Sequence, residues 1–280
     1  MDEPTIAAPV HVPRPEGPWH AVHRNLTETG SAVVYTTWGE WLPAVLTTPG
    51  LRRLLGHDWT RYRRTADATV RFRFAAARLL IKYAAGAALC TQPASLDLAY
   101  RLGGRPYLRG FDQIEVSLTH TGELIVVALS RIGRIGVDAE PVGRPLRLDL
   151  LRSQMCTPAE AAELDALPEN EQSAQALRLW TLKEAYTKAL GQGMRLAFTE
   201  FGFGLHGGRL RAPDGSAGSH GEWGFATHRE LGRYLISIAC HDAGLDPAGD
   251  TSVCTMLDEG FLTAMTQRLT AEDDPGPSRV

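Results

Sequence analysis

Ile135-Gly136-Val137-Asp138-Ala139-Glu140 closes an apolar, branched stretch and runs into Pro141. It reads as the end of a strand. Side chains on a strand alternate with period two, so Asp138 and Glu140 point to the same side. Downstream, Trp180-Thr181-Leu182-Lys183-Glu184-Ala185-Tyr186-Thr187-Lys188 falls within a helix expected from about Asn170 to Leu190 and stopped by Gly191, a residue suited to a helix C-cap. A helix laid alongside that strand brings Glu184 to the two acids. Three carboxylates make an oxygen set that suits a hard cation such as Mg2+. Lys183 and Lys188 flank Glu184, so the same site could also hold a phosphorylated ligand. Plainer readings exist for each part. Alternating acids describe the wet face of a strand, and Glu184 with Lys188 describes an i,i+4 ion pair worth a few tenths of a kcal/mol. The strand's end at Pro141, at a rim where sites are built, and the acid supplied by the helix favour the metal reading.

Working outward, Ile114–Leu118 and Leu124–Leu129 precede the acidic stretch and are separated by Thr121-Gly122. The three segments read as successive antiparallel strands. A long helix is expected between Asp67 and Leu89, where Phe74, Ala77, Leu80, Ile81 and Ala84 follow helical spacing. Thr157-Pro158-Ala159-Glu160 carries a capping-box signature, with proline at the first helical position. Strands return at Phe201–Leu205, Glu222–His228 and Tyr234–Ala239. The order is helix then three strands, followed by helices then three strands, which suggests two similar halves. The expected organisation is an irregular N-terminal arm over 1–30, an N-terminal half over 31–133, a C-terminal half over 134–245 with the acidic motifs, and an extension over 246–280. That extension is expected to hold a short helix at Leu257–Leu269 and a disordered end from Ala271.

The chain of 280 residues is 44% hydrophobic and 22% charged, with a net charge of -3. That composition is globular, and it offers no overall basic field for nucleic acid. No apolar run approaches the ~20 residues of a membrane span, and no basic segment followed by an apolar core marks a signal peptide. The four cysteines form no CxxC pair and no zinc-ligand spacing. Scattered cysteines without a secretory signal fit a reducing compartment, so a cytoplasmic protein is expected.

Three further patterns bear on chemistry. Arg61, Arg63, Arg64, Arg71, Arg73 and Arg78 crowd one short stretch; this is either a solvated helix face or a basic contact surface. Ser117-Leu118-Thr119-His120-Thr121 puts hydroxyls on both sides of one histidine before a glycine turn, an arrangement that could cradle an anion with help from backbone N–H groups. No acid or nucleophile completes a Ser-His-Asp triad there. Gly103-Gly104-Arg105-Pro106 is too short for a P-loop; it reads as a hairpin turn, or as a tight loop against a nucleotide with Arg105 on a phosphate.

In this order, the Gly104-Arg105-Pro106-Tyr107, Ser117–Thr121, Ile135–Glu140 and Trp180–Lys188 motifs resemble the 4'-phosphopantetheinyl transferases of the Sfp type. Glu184 follows Asp138 by 46 residues, as in that family. The similarity runs from roughly Arg61 to His241. It implies an α+β fold of two pseudo-symmetric halves, each a small antiparallel sheet packed with a long helix, with the active site in the cleft between them. It implies transfer of the 4'-phosphopantetheine arm of coenzyme A to a serine of an apo acyl, aryl or peptidyl carrier protein, as in polyketide or nonribosomal peptide biosynthesis. Mg2+ (or Mn2+) would assist, and adenosine 3',5'-bisphosphate would leave. The short holo-acyl-carrier-protein synthases have about half this length and act as oligomers, so the doubled chain implies a monomer. By position, Asp138, Glu140 and Glu184 match the metal ligands, and Lys188 the lysine facing the pyrophosphate. Thr119 and His120 match phosphate contacts, His120 at the 3'-phosphate. Arg105 and Pro106 match the turn beside adenine, and Arg61, Arg64 and Arg73 fall where basic residues meet the 3'-phosphate. Glu184 and Glu160 are the candidate bases. The family often has lysine where Arg105 stands, which keeps the charge but not its geometry. A Mg2+-dependent nucleotide phosphohydrolase and a non-catalytic coenzyme A-binding module remain as alternatives.

Overall fold

The computed structural model describes residues 3–101, 103–205 and 208–244; the expected extension over 246–280 lies outside them. The chain runs β1 (Val10–His11), α1 (Trp19–Thr29), β2 (Ser31–Thr37), α2 (Trp38–Thr47), α3 (Leu51–Leu55), α4 (Trp59–Arg64) and α5 (Ala68–Ala88). Then come β3 (Leu98–Tyr100), β4 (Pro106–Leu108), β5 (Glu115–Thr121), β6 (Leu124–Ser130) and β7 (Ile135–Pro141). The remainder is α6 (Leu148–Met155), α7 (Pro158–Asp165), α8 (Glu169–Leu190), β8 (Gly202–Phe203), β9 (Leu210–Arg211), β10 (Trp223–Glu230) and β11 (Tyr234–His241).

The mixed α+β class and both long helices stand as read. Asp67 caps α5 by accepting the Val70 N–H, and Gly191 ends α8 in the left-handed conformation at φ 69°. Thr157 and Glu160 form a complete capping box at the start of α7. The arm expected to be irregular over 1–30 is a correction in part, because residues 19–29 are helical. Val22 and Leu26, four apart, are fully buried, so this turn of chain is held by burying one helical stripe.

Among the described residues, one sheet has the order β1-β2-β6-β5 and another β10-β11-β7. This corrects the reading of three successive paired strands. β5 and β6 pair antiparallel, but β7 crosses to the second sheet and pairs with β11, Asp138 opposite Ser237. The link before β7 makes the crossing possible: the Ala243 N–H donates to Ile132 O and the His241 N–H to Arg134 O. Every residue of β6 is buried. Ile125, Val127 and Leu129 face the core around α5, while Leu124, Val126 and Ala128 face Val137, Ile236 and Ile238 of the second sheet. A strand apolar on both faces is one covered on both faces. The long helix α8 covers the other side of β7 and β11, and no helix among the described residues is long and apolar enough to cross a membrane.

One residue sets how closely α8 lies on β7. A Cβ built on Gly136 would stand 1.9 Å from the Ala185 carbonyl oxygen and 2.5 Å from the Ala189 nitrogen. The obstacles are helix backbone and cannot rotate away. Gly136→Ala should therefore push α8 off the strand. An overpacked core costs about 1–3 kcal/mol, and the upper end is expected here in urea unfolding. A loss below about 0.5 kcal/mol, the scale of a surface change, would show that the contact is not tight.

Candidate active site

β7 and α8 bring the predicted acids together. Asp138 is 7% exposed. The Lys188 ammonium donates to Asp138 Oδ1 at 2.6 Å, to Thr119 Oγ1 at 3.2 Å and to the Val137 carbonyl at 3.3 Å. Thr119 Oγ1 donates to the same carboxylate oxygen at 3.2 Å. Asp138 Oδ2 is buried with no hydrogen-bond partner. Glu140 is paired with Arg144. Burial pushes the Glu140 carboxyl above its ordinary range; the Asp138 charge adds to this, while Arg144 and Lys188 oppose it. Glu184 is likewise pushed up, by burial first, then by Asp138 and Glu140, with Lys188 and Arg144 opposing. The three carboxylates therefore share one electrostatic neighbourhood.

As the side chains stand, no three His, Cys, Asp or Glu among the described residues lie close enough to hold a metal ion. The expected closed cage is not assembled, because Lys188 and Arg144 hold two of the acids. The donor set still fits a hard divalent cation chemically: all three groups are carboxylates, the Asp138 charge reaches both glutamates, and one buried oxygen has no donor.

Two predicted residues lie elsewhere. Lys183 is fully buried and Glu160 is 2% exposed, and they pair at 2.7 Å. Lys183 also donates to the Met155, Phe198 and Phe201 carbonyls at 2.6–2.8 Å. Glu160 accepts the N–H groups of Thr157 and Phe203. Burial pushes the Lys183 ammonium down and Glu160 works against it. A charge pair taken so far out of water persists when its hydrogen bonds are complete, as these are. Lys183 as a ligand contact and Glu160 as a base are thus corrected: the pair ties α7 and the 198–203 segment to α8. One helical step turns a side chain by about 100°, which sends Lys183 inward beside Glu184.

Two cavities adjoin Lys188. One, of about 420 Å³, is lined by Arg61, Val70, Arg73, Phe74, Arg78, Leu118, Thr119, His120 and Lys188. Arg64 is exposed on α4 and is not among them. Sequence reasoning placed Arg78 in the cluster but gave it no role. It is 8% exposed, its Nε donates to Asp58 Oδ2 at 3.0 Å, and its guanidinium lies 4.0 Å from the Phe74 ring centroid. Tyr100 donates to the same Asp58 oxygen at 2.5 Å. Asp58 lies 20 residues away on another element, so no local pattern announces this buffered cation. The second cavity, of about 170 Å³, is lined by the Gly103–Pro106 turn, Ser117, Leu118, Lys188, Gly191 and Gly193. Ser117 Oγ accepts the Val137 N–H at 3.1 Å. Arg105 is engaged by Glu115, Ala189 and Ile135.

Fold and site together define a mixed α+β protein with an acidic cluster and a cationic cavity where its two sheets meet. Residues 134–239, which carry all the acidic motifs, match the family model of the 4'-phosphopantetheinyl transferase superfamily. The chain is 28% identical over 123 residues to a 4'-phosphopantetheinyl transferase of Bacillus subtilis, covering 44% of this chain and 54% of that one. It is 30% identical over 127 residues to the 4'-phosphopantetheinyl transferase HetI of Nostoc sp., again 44% and 54%. It is 26% identical over 103 residues to Sfp of Bacillus subtilis, covering 37% and 45%. The chain thus matches about half the length of these relatives, and the motif-based resemblance is shown.

The cationic cavity has a measurable signature. The His120 imidazole is held below its ordinary value by burial first, and then by Arg73, Arg78 and Lys188. Folding favours its neutral form, so its contribution to stability is full above about pH 6.5 and is lost as the pH falls toward the lowered value. An anion in the cavity reverses the sign of the local field and raises the value. NMR titration of the His120 ring should give a midpoint below about 6.5 that rises on adding sulfate, which does not itself titrate there. An unchanged midpoint would mean that no anion enters beside His120.

Proposed function

We propose that this protein transfers the 4'-phosphopantetheine arm of coenzyme A to a serine of an apo acyl, aryl or peptidyl carrier protein, with Mg2+ (or Mn2+) bound, releasing adenosine 3',5'-bisphosphate. The observation that carries the reading is the joining of Asp138, Glu140 and Glu184 to Lys188, itself a lining residue of both cavities. A binding module has no evident need for the acidic half of that arrangement. The bound metal would neutralise the pyrophosphate and stabilise the departing bisphosphate. Asp138, Glu140 and Glu184 would hold it.

The chain's own residues account for the rest. Arg61, Arg73, Arg78 and His120 offer a basic wall for the 3'-phosphate, in which Asp58, itself bonded by Tyr100, holds Arg78 in place. Lys188 supplies charge to the pyrophosphate oxygens, where negative charge grows in the transition state. The carrier serine hydroxyl attacks the pyrophosphate phosphorus on the pantetheine side. The bond from that phosphorus to the bridging oxygen breaks, and the oxygen leaves with the adenosine bisphosphate. The serine proton passes to a carboxylate. Glu184 is our candidate, since Glu160 is sealed in its pair with Lys183 and Glu184 stands beside the proposed metal, where the reacting groups would meet.

The test is incubation with coenzyme A, Mg2+ and a panel of apo carrier proteins, read by intact mass and bisphosphate release. One carrier should gain a single phosphopantetheine on its serine, with one bisphosphate released per carrier loaded. Asp138→Ala should lower kcat by at least about 10²-fold, the scale of losing one electrostatic stabiliser of the transition state, here the cation that Asp138 would help to hold. Bisphosphate release without carrier loading would point instead to a phosphohydrolase, and near-wild-type turnover by Asp138→Ala would sink the assignment of the acid.

A further inference from the structure

We propose that Arg105 is a positioning residue, which bolts β7 to α8 and keeps Asp138, Glu140, Glu184 and Lys188 aligned, and that it does not bind the nucleotide. The inference rests on the proposed transfer reaction. Its geometry does not. One guanidinium nitrogen, Nη1, donates to the Ala189 carbonyl at 2.7 Å. The other, Nη2, donates to Glu115 Oε2 at 2.7 Å and to the Ile135 carbonyl at 3.3 Å. Ala189 directly follows Lys188 on α8, and Ile135 opens the strand that carries Asp138 and Glu140. Glu115 begins β5. A single side chain from the turn before β4 therefore grips the three elements on which the site is built.

The side chain is 16% exposed, and its Nε–H is buried without an acceptor. Leaving a buried donor unmet costs about 1–3 kcal/mol, so the grip of the two terminal nitrogens fixes this geometry. The Ala189 carbonyl lies in the last turn of α8, where carbonyls have no intrahelical donor and a cation is favourable. The turn is shaped for the task. Gly103 and Gly104 have φ of 98° and 85°, a conformation that L side chains rarely adopt. It closes by the Gly104 N–H to the Arg101 carbonyl and the Arg101 N–H to the Arg105 carbonyl. Arginine suits the position because its planar fork reaches separate acceptors at fixed angles, which the point charge of a lysine does not.

Arg105→Lys and Arg105→Ala separate positioning from ligand contact. Binding of adenosine 3',5'-bisphosphate would be measured by calorimetry without divalent cation, and kcat and KM for coenzyme A by carrier loading. A misaligned acid set costs up to about 10²-fold in turnover. The expected result is a fall in kcat of at least tenfold in both variants, lysine rescuing little, with Kd and KM within about threefold of wild type. Melting of Arg105→Lys, Glu115→Gln and their double variant should be non-additive. A rise in Kd of tenfold or more with kcat preserved, restored by lysine, would overturn the proposal. If Arg105→Ala does not fold, Arg105→Lys decides alone. If the wild type loads no carrier, the functional reading fails by itself. The bolt is then judged on Kd and on the Glu115 coupling: unchanged Kd with non-additive melting supports it, weakened Kd or additive melting overturns it.

Discussion

The contact between Gly136 and the backbone of α8 governs the site. A strand and a helix ordinarily keep apart by the width of the side chains between them. Here the absent Cβ lets the helix backbone settle on the strand, so that Asp138, two positions further along β7, pairs with Lys188, and Glu184 comes within the electrostatic reach of Asp138 and Glu140. The same docking leaves Thr181 Oγ1 2.8 Å from Ser237 Oγ on β11, a polar bond in a place where any looser packing would admit a void. The Lys183–Glu160 pair holds the far side of the helix, so α8 is fixed on both flanks.

On this rigid base the charges are deliberately unequal. The Asp138 charge raises the proton affinity of both Glu140 and Glu184, and two cations, Lys188 and Arg144, oppose it. Around the corner the balance reverses: arginines crowd a cavity in which a histidine is held below its ordinary proton affinity. A ligand with a divalent cation at one end and phosphate at the other satisfies both imbalances together. Lys188 belongs to both regions, paired with Asp138 on one side and exposed to the anion cavity on the other, so the two halves of the electrostatic problem are coupled through one side chain.

Much of this was legible in the sequence, and the gaps have physical causes. The helices α5, α7 and α8 carry their own signals: an aspartate cap, a capping box and a C-cap glycine. Asp138, Glu140 and Glu184 were found because period-two and helical spacing are local rules. The departure of β7 to the second sheet was not legible, since pairing partners are chosen by packing over 100 residues of chain. The helix face was misjudged for Lys183 because a buried ammonium is rare; only the carbonyls of Met155, Phe198 and Phe201, converging from elsewhere, make it tolerable. Arg78 was hidden for the same reason, its buffer Asp58 lying on a different element. Arg105 was read by its charge alone, whereas its partners lie on three segments that no spacing rule connects.

The central claim is that one cation joins the acidic cluster to the pyrophosphate of coenzyme A. Phosphorus NMR of coenzyme A bound to the protein with substoichiometric Mn2+ tests this directly, because the paramagnetic ion broadens the nuclei nearest to it. The account predicts strong broadening of the pyrophosphate signals, weaker broadening of the 3'-phosphate, and loss of both in Asp138→Ala. Broadening no greater than that of free coenzyme A with Mn2+, or broadening indifferent to Asp138, would contradict it.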